Sequence, residues 1–356
     1  MSKLLMRGNH TVAEAAIRAG CRYYFGYPIT PQNEIPEYMA ERLSKIDGGV
    51  FIQAESEVAS IHMVIGASMA GGRAMTSSSG PGISLKQEGI SFLSGLELPA
   101  VIVNMSRGGP GLGNIAPSQS DYFQATRGGG HGDYRTIVLG PSSGQELADL
   151  TARAFDLADL YRTPVVLLGD GMLGQMMEPV EFSPEIPLKK LPTKDWVLGG
   201  AKGRPSRFIR SLILDTTEEE EHNWKLMRKY EKITREEVRW ETFATEDAKM
   251  VVVAFGTAAR IAKGAINRAR EQGLKVGLLR PISLWPFPSK VIKELSKRVK
   301  FFLCFELNMG QMVEDVRLAL EGNGEVHFYG RPGGIVPTPA EISRIISSQY
   351  YQKKLG

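Results

Sequence analysis

Cysteine is scarce in this 356-residue sequence, since Cys21 and Cys304 are its only two. Two thiols cannot by themselves hold an iron–sulfur cluster, and isolated cysteines on apolar segments are usually buried. Long apolar runs are also missing: residues 165–169 and 250–255 are far too short to cross a bilayer. The N-terminal MSKLLMRGNH lacks the apolar stretch of a signal peptide. We therefore expect a cytoplasmic protein with no membrane segment, no disulfide and no metal cluster of its own.

A large excess of charge of one sign is also missing, because the formal net charge is only +4. No basic stripe with interleaved aromatic residues occurs, which argues against nucleic acid as a partner. The sequence contains no P-loop, HExxH, GxSxG or zinc-ligand spacing. Its apolar content of 42% and charged content of 23% are ordinary for a soluble globular protein, and its length is sufficient for two domains.

Residues 55–82 predict a helix, a strand over 73–77 and a tight loop ending in Gly-Pro-Gly. Val58, Ile61 and Ile65 recur at helical spacing and predict the buried face of the helix. A strand over 50–54 precedes it, so Glu55 and Glu57 lie at the carboxyl edge of the predicted sheet, where ligands bind. Glu57 then has two interpretations: it faces a ligand, or it complements the positive end of the helix dipole.

Two further polar residues follow predicted strands. Thr30 lies between Pro28 and Pro31, after a strand over 21–27, and the two prolines hold it in an extended loop. Its alternative role is to cap a helix near 32–44.

Arg107 follows a strand over 99–105 and precedes the glycine-rich run GGPGLG. The run does not predict a dinucleotide site, because Pro110 interrupts it and no suitably spaced helix follows. A fixed guanidinium group at this edge suits an anionic substrate, and the alternative is a surface arginine in a flexible loop.

A helix is predicted near 83–96, after the Gly-Pro-Gly loop. Helices and strands alternate along most of the chain, which predicts an α/β fold with doubly wound parallel sheets. Residues 114–135 lack periodicity and predict a long functional loop, in which His131 and Asp133 are too few for a metal site. A proline-punctuated, highly charged connector follows the first unit, and a second alternating unit begins at Met250. The connector contains a predicted amphipathic helix whose apolar residues are Trp224, Leu226, Met227, Tyr230, Ile233 and Val238.

Several motifs together resemble the α subunit of the thiamine diphosphate-dependent 2-oxoacid:ferredoxin oxidoreductases. They are YPITP at 27–31, Ser56-Glu57, TSSSGPG at 76–82, RPISLWPFP at 280–288 and ELNMGQ at 306–311. The resemblance covers nearly the whole chain except the charged connector. It implies a thiamine pyrimidine-binding domain at 1–170, a connector at 171–247 and a transketolase C-terminal-like domain at 248–356.

The resemblance also implies roles for individual residues. Glu57 corresponds to the glutamate that hydrogen-bonds a ring nitrogen of the aminopyrimidine and favours the tautomer that removes the thiazolium proton. Glu55 has no such correspondence, so a structural role is expected. Thr30 and Arg107 correspond to residues that hold the carboxylate of the 2-oxoacid. Ser79 and Gly80 lie in the loop beside the cofactor.

The resemblance further implies that this chain is one component of a heteromer. Thiamine enzymes hold Mg²⁺ and diphosphate through a GDG motif followed by an asparagine. Gly169-Asp170-Gly171 is present, but no asparagine occurs between Gly171 and Asn223. The magnesium–diphosphate half is therefore expected on a β-type subunit. Iron–sulfur clusters are expected on partner subunits, among them a small ferredoxin-like one, and a γ-type subunit is a further expected partner.

The implied reaction is oxidative decarboxylation of a 2-oxoacid with coenzyme A, with electrons passed to ferredoxin. The run from Arg107 to Tyr122 and the GGGHGDYR segment resemble the branched-chain (2-oxoisovalerate) members. The alternatives are pyruvate, 2-oxoglutarate or an aryl 2-oxoacid as substrate. A non-catalytic assembly subunit that keeps the fold is a further alternative.

Overall fold

The computed structural model describes residues 3–182 and 191–355. The strands of this part of the chain are β1 (Leu4–Arg7), β2 (Tyr23–Gly26), β3 (Val50–Gln53), β4 (Ala74–Ser78), β5 (Ala100–Ser106), β6 (Ile137–Leu139), β7 (Pro164–Asp170), β8 (Met177–Val180), β9 (Trp240–Phe243), β10 (Met250–Val253), β11 (Val276–Pro281), β12 (Ser283–Trp285), β13 (Phe301–Glu306) and β14 (Glu325–Gly330).

The helices of the same residues are α1 (Gly8–Arg18), α2 (Glu34–Leu43), α3 (Glu57–Met69), α4 (Pro81–Leu85), α5 (Gln87–Gly95), α6 (Tyr122–Arg127), α7 (Gly144–Tyr161), α8 (Gly171–Gln175), α9 (Thr216–Glu236), α10 (Gly256–Glu271), α11 (Ser289–Leu295), α12 (Met312–Leu320) and α13 (Pro339–Gln352). None of these helices is both long and apolar enough to cross a membrane.

A seven-stranded sheet organises the N-terminal half, in the order β12-β6-β7-β5-β4-β2-β3. Its strands run parallel except β12, which pairs antiparallel with β6. Along β5, Ile102 packs with α3 and α5, whereas Val101 and Val103 pack with α1 and α7. The sheet is therefore buried on both faces, which explains the continuous apolar runs of its central strands.

A five-stranded sheet organises the C-terminal half, in the order β14-β13-β10-β11-β9. It is parallel except for β9, which pairs antiparallel with β11. Apolar residues of α10 and α13 cover one face, and those of α11 and α12 cover the other. The predicted fold class, α/β with two doubly wound units, is confirmed.

Each large sheet receives its antiparallel edge strand from outside the predicted domain that supplies its other strands. Strand β12 lies within the predicted domain 248–356 but joins the first sheet, and β9 lies within the predicted connector 171–247 but joins the second. The division at 1–170, 171–247 and 248–356 stays a prediction. Residues 183–190 of the connector lie outside the described residues.

The predicted connector helix is α9, which packs on the first unit. Its buried residues are Leu226, Tyr230 and Ile233, as the pattern predicts, whereas Trp224 and Met227 are exposed. Lys229 Nζ forms an ion pair with Glu97 Oε1 at 2.9 Å, and Lys225 contacts the same carboxylate. Although burial opposes it, these two ammonium groups lower the pKa of Glu97 to about 2.

A partly buried ion-pair cluster connects the two units. Arg280, on β11, donates to both carboxylate oxygens of Glu146 on α7 at 2.6 and 2.9 Å. It also donates twice to Glu241 Oε2 on β9, at 2.7 and 2.9 Å. The guanidinium group is nearly buried, and such a bidentate geometry is specific for arginine. This cluster fixes β9 and β11 against the first unit.

Three local predictions are wrong in detail. The helix predicted near 83–96 is two helices, α4 and α5, interrupted at Lys86. Val58 is 39% exposed, because the buried face of α3 is formed by Ser60, Ile61, Val64, Ile65 and Ser68. The loop at 114–135 contains helix α6, which is too short for a periodic pattern to reveal it.

Candidate active site

The turn between β3 and α3 carries both acids that the sequence singles out. Ser56 caps α3, and its Oγ accepts a hydrogen bond from Ala59 N at 3.2 Å. Glu57 occupies the first position of the helix and is 6% exposed, whereas Glu55 is exposed. The turn therefore directs one carboxylate into the protein and the other towards solvent.

The Glu57 carboxylate faces the Gly-Pro-Gly loop. A Cβ atom on Gly82 would lie 2.5 Å from Glu57 Oε1 and 2.1 Å from Ser78 Oγ, so a larger residue would displace these groups. Across 3–182 and 191–355, no residue donates a hydrogen bond to this carboxylate; the bonds to Glu57 reach its carbonyl oxygen instead. Burial of a carboxylate without a donor is costly, and a ligand that offers an N–H group would remove that cost.

The loop after β4 supplies further polar groups without partners. Ser79 is fully buried, and among the described residues its Oγ has no hydrogen-bond partner. The same holds for Thr76 and Ser78. Gly80 has φ = 50° and ψ = −120°, a conformation that side chains rarely adopt. The end of β4 and the loop after it thus place buried hydroxyl groups without partners near Glu57.

Arg107 lies across this loop from Glu57 and is 6% exposed. Its Nη1 donates to the carbonyl oxygen of Thr30 at 2.7 Å, and its Nη2 donates to that of Leu112 at 3.0 Å. Its Nε is buried and has no partner within the described residues. A Cβ atom on Gly80 would lie 3.2 Å from this Nε. Arg107 is therefore held in place, and donors remain available for an anion.

Thr30 lies in the loop after β2 and is exposed. Its Oγ1 accepts a hydrogen bond from Asn33 Nδ2 at 3.4 Å, and helix α2 begins at Glu34 without a side-chain cap. The alternative role of Thr30 as the cap of this helix is therefore wrong. Its backbone carbonyl oxygen contacts Arg107, and its hydroxyl group can still donate a hydrogen bond.

All five predicted site residues lie in one continuous patch, because Glu57 contacts the loop at Gly82, Gly80 of that loop adjoins Arg107, and Arg107 binds Thr30. A cavity of about 560 Å³ opens beside Arg107, between this patch and loops of the second unit. Its lining combines Gly80, Pro81, Arg107, Asp121 and Gln124 with Asn308, Met309 and Gln311. This is the size of an ordinary small-molecule site.

Buried polar residues that the sequence did not indicate hold the strands and loops of the patch together. Tyr24 Oη and Ser77 Oγ are hydrogen-bonded at 2.6 Å, and Ser77 also donates to Gln32 Oε1. All three are fully buried and connect β2 and β4 to the Thr30 loop.

Lys86, between α4 and α5, is fully buried behind Glu57. Its signal in the sequence is a lysine where the neighbouring residues predict a buried helical face.

The GDG sequence at 169–171 has a structural role in this chain. Asp170 ends β7 and is almost fully buried. Its Oδ1 accepts hydrogen bonds from Met172 N at 3.0 Å and Leu173 N at 3.1 Å, so it caps the short helix α8. The carboxylate is thus committed to backbone donors.

The long loop at 114–135 connects the two units. Gln119 Nε2 donates to Phe255 O at 2.8 Å, and the backbone carbonyl oxygen of Gln119 accepts a hydrogen bond from Asn308 Nδ2 at 2.9 Å. Gln311 Nε2 donates to Ser120 O at 2.7 Å. The loop therefore fixes the ELNMGQ segment at the cavity wall. Its other end, with His131 and Asp133, is exposed.

Two known protein families match most of the chain. Residues 14–242 match the family described as pyruvate flavodoxin/ferredoxin oxidoreductase, thiamine diphosphate-binding, and 248–342 match pyruvate:ferredoxin oxidoreductase core domain II. Ketoisovalerate oxidoreductase subunit VorB of Methanothermobacter marburgensis is 51% identical over 97% of each chain. 2-Oxoglutarate synthase subunit KorA of Archaeoglobus fulgidus is 41% identical over 89% of this chain and 91% of that one.

A solved structure gives the same result. It is 2-oxoglutarate:ferredoxin oxidoreductase from Magnetococcus marinus with 2-oxoglutarate, coenzyme A and succinyl-CoA bound, with a TM-score of 0.90 at 28% identity. The similarity covers 98% of this chain and 65% of that chain. A split-gene transketolase, 12% identical with a TM-score of 0.60, shares the fold. The chain belongs to the 2-oxoacid:ferredoxin oxidoreductase family, with a thiamine diphosphate-binding N-terminal region, and its relatives are subunits of multi-subunit oxidoreductases.

Proposed function

We propose that this chain is the α-type subunit of a heteromeric enzyme that oxidatively decarboxylates a branched-chain 2-oxoacid. The products are the acyl-CoA and CO₂, and ferredoxin accepts the electrons. The observation that carries the proposal is the buried Glu57 carboxylate, which has no donor among the described residues and lies in one patch with Arg107 and Thr30.

The residues of this patch fit the pyrimidine side of thiamine diphosphate. A buried carboxylate without a donor suits a protonated or tautomeric ring nitrogen, and the absence of a side chain at Gly82 lets the loop approach this carboxylate closely. The hydroxyl group of Ser79, which has no described partner, can form a hydrogen bond with the edge of the pyrimidine ring. Gly80 has no side chain, so the ring can approach its backbone. When bound, thiamine diphosphate supplies the carbanion chemistry that decarboxylation of a 2-oxoacid needs.

The residues of the chain then have separate tasks. Glu57 holds or releases a proton at its carboxylate oxygens, opposite a ring nitrogen. Ser79 and Gly80 orient the ring. Arg107 binds the substrate carboxylate with the donors that its two carbonyl contacts leave available. The hydroxyl group of Thr30 adds a further donor to the same carboxylate.

The cavity beside Arg107 favours a substrate with one carboxylate and an apolar side chain. Among the described residues that line it, Arg107 is the one cation, and Pro81, Pro110, Met309 and several glycines form much of the wall. A second carboxylate, as in 2-oxoglutarate, would have no basic partner there. The 51% identity to a ketoisovalerate oxidoreductase subunit, against 41% to a 2-oxoglutarate synthase subunit, supports the same choice.

A partner subunit is proposed to complete the cofactor site. Asp170 of the GDG sequence is committed to a helix cap, so a β-type subunit is the proposed holder of Mg²⁺ and diphosphate. A γ-type subunit is a further proposed partner, and a small ferredoxin-like subunit is proposed to carry iron–sulfur clusters. Large apolar side chains that are exposed around the carboxyl edge of the first sheet are suited to such a contact: Tyr27, Ile52, Val58, Leu85, Leu112 and Ile115.

The substrate proposal is tested by assaying the assembled complex with 2-oxoisovalerate, pyruvate and 2-oxoglutarate, following coenzyme A-dependent reduction of ferredoxin. We expect the highest kcat/KM with 2-oxoisovalerate and the lowest with 2-oxoglutarate, whose second carboxylate meets no cation. A preference for 2-oxoglutarate would overturn the substrate assignment. Absence of turnover with every 2-oxoacid would favour an assembly subunit instead.

A further inference from the structure

Lys86 is a buried lysine to which the proposed mechanism gives no role. Lys86 lies between α4 and α5, and its side chain is fully buried against α3. Nζ donates to Ser60 Oγ and, at 3.4 Å, to the carbonyl oxygen of Glu57. Ser60 Oγ in turn donates to the same carbonyl at 2.9 Å. Lys86 is thus connected to the first turn of α3, which carries Glu57.

The position of Lys86 is electrostatically unfavourable without an acid nearby. Burial lowers the pKa of its ammonium group from 10.5 to about 7, and the negative charge of Glu57 acts in the opposite direction. Glu57 is the charged group whose field acts on Lys86 in the described residues; Glu88 on α5 and His62 on α3 are exposed. The positive end of the α3 dipole also opposes a cation at this place. An apolar side chain would fill the same volume at lower cost.

We propose that Lys86 is a positioning residue for Glu57: its ammonium group, hydrogen-bonded to Ser60 Oγ and to the Glu57 carbonyl oxygen, fixes the first turn of α3 and places a buried positive charge within the field of the Glu57 carboxylate. Ser60 transmits the hydrogen bond between them. The relevance to catalysis rests on the proposed function, because Glu57 is the proposed cofactor contact. The charge coupling itself does not depend on any ligand.

The test is a double-mutant cycle on the full chain without cofactor, with thermal unfolding measured at about pH 6, below the Lys86 pKa of about 7. Glu57→Gln leaves Lys86 as an uncompensated buried cation, and Lys86→Met removes the charge at similar length. We expect Lys86→Met to lower or preserve the midpoint in the wild-type background. In the Glu57→Gln background it should raise the midpoint by about 3 °C or more.

If Lys86 only fills space, Lys86→Met should lower the midpoint of thermal unfolding by the same amount in both backgrounds, because the two side chains are then not coupled. That result would overturn the proposal. Lys290→Met is the matched control: Lys290 is an exposed lysine of α11, and its replacement should have the same small effect in both backgrounds.

A second measurement covers the case in which Lys86→Met does not fold. Because the Lys86 pKa is lowered in the folded chain, stability should rise with pH between about 7 and 10.5 in the wild type. In Glu57→Gln, which keeps Lys86, the loss of the counter-charge should move the onset of this rise to lower pH. An unchanged onset would contradict the coupling. Neither experiment uses substrate, so failure here leaves the proposed function intact, and failure of the substrate assay leaves this coupling intact.

Discussion

Replacing Glu57 with glutamine is expected to lower kcat of the assembled complex by about 10²- to 10⁴-fold, the usual contribution of a positioned proton-transfer group. Glutamine keeps the shape of the side chain and can still form a hydrogen bond, but it cannot take up and release the proton. No described residue donates a hydrogen bond to the Glu57 carboxylate, so its replacement breaks no hydrogen bond in the chain. We therefore expect the complex to assemble, although the uncompensated charge of Lys86 lowers the stability of the chain.

The matched control for this change is Glu55→Gln. Glu55 lies two residues away on the same turn but is exposed, so its replacement should be nearly silent. The measurement is kcat together with hydrogen–deuterium exchange at the reactive ring carbon of the bound cofactor, by quenched-flow NMR on the whole complex. Normal exchange in Glu57→Gln would remove Glu57 from the proton-transfer step. Slow exchange in Glu55→Gln would assign the role two residues upstream.

Replacing Arg107 with lysine is expected to lower kcat/KM for the 2-oxoacid by about 10- to 100-fold. A hydrogen bond to a charged group contributes roughly 1.5–3 kcal/mol, and lysine offers a point charge in place of a planar fork. Lysine also cannot hold the carbonyl oxygens of Thr30 and Leu112 while it binds an anion. Thr30→Val should lower the same parameter by a smaller factor, because it removes one hydroxyl donor.

Steady-state kinetics with varied 2-oxoacid measure both changes. Arg344→Lys serves as the control, since Arg344 is exposed on α13 and far along the chain from the site. A loss confined to kcat/KM, with cofactor affinity preserved, is the result that the carboxylate role predicts. Unchanged kinetics in both Arg107→Lys and Thr30→Val would mean that the carboxylate binds elsewhere.

The alternation of helices and strands was sufficient to predict the two doubly wound units, because central strands such as β5 and β7 are buried on both faces and read as continuous apolar runs. Pairing between distant segments was not predictable. Strand β12 joins β6 across more than a hundred residues, and its three residues carry no periodic signal. The interruption of the predicted helix at Lys86 also depends on tertiary contacts, since its side chain turns inward to α3.

The structure brings together predicted site residues that follow a strand, and their roles stay predictions. Glu57, Thr30, Gly80 and Arg107 all lie at the carboxyl edge of the first sheet, and parallel strands bring such positions together. The contact between Thr30 and Arg107 joins residues 77 positions apart, so local sequence could indicate the edge but not the contact. Their proposed roles came from family resemblance rather than from periodicity.

The central claim is that this chain supplies the pyrimidine side of a thiamine diphosphate site that a partner completes. The direct measurement is isothermal titration of thiamine diphosphate and Mg²⁺ into the isolated chain, into the β-type partner and into their complex. The account predicts weak binding to the isolated chain and tight, magnesium-dependent binding to the complex. Tight, magnesium-dependent binding to the isolated chain would contradict it.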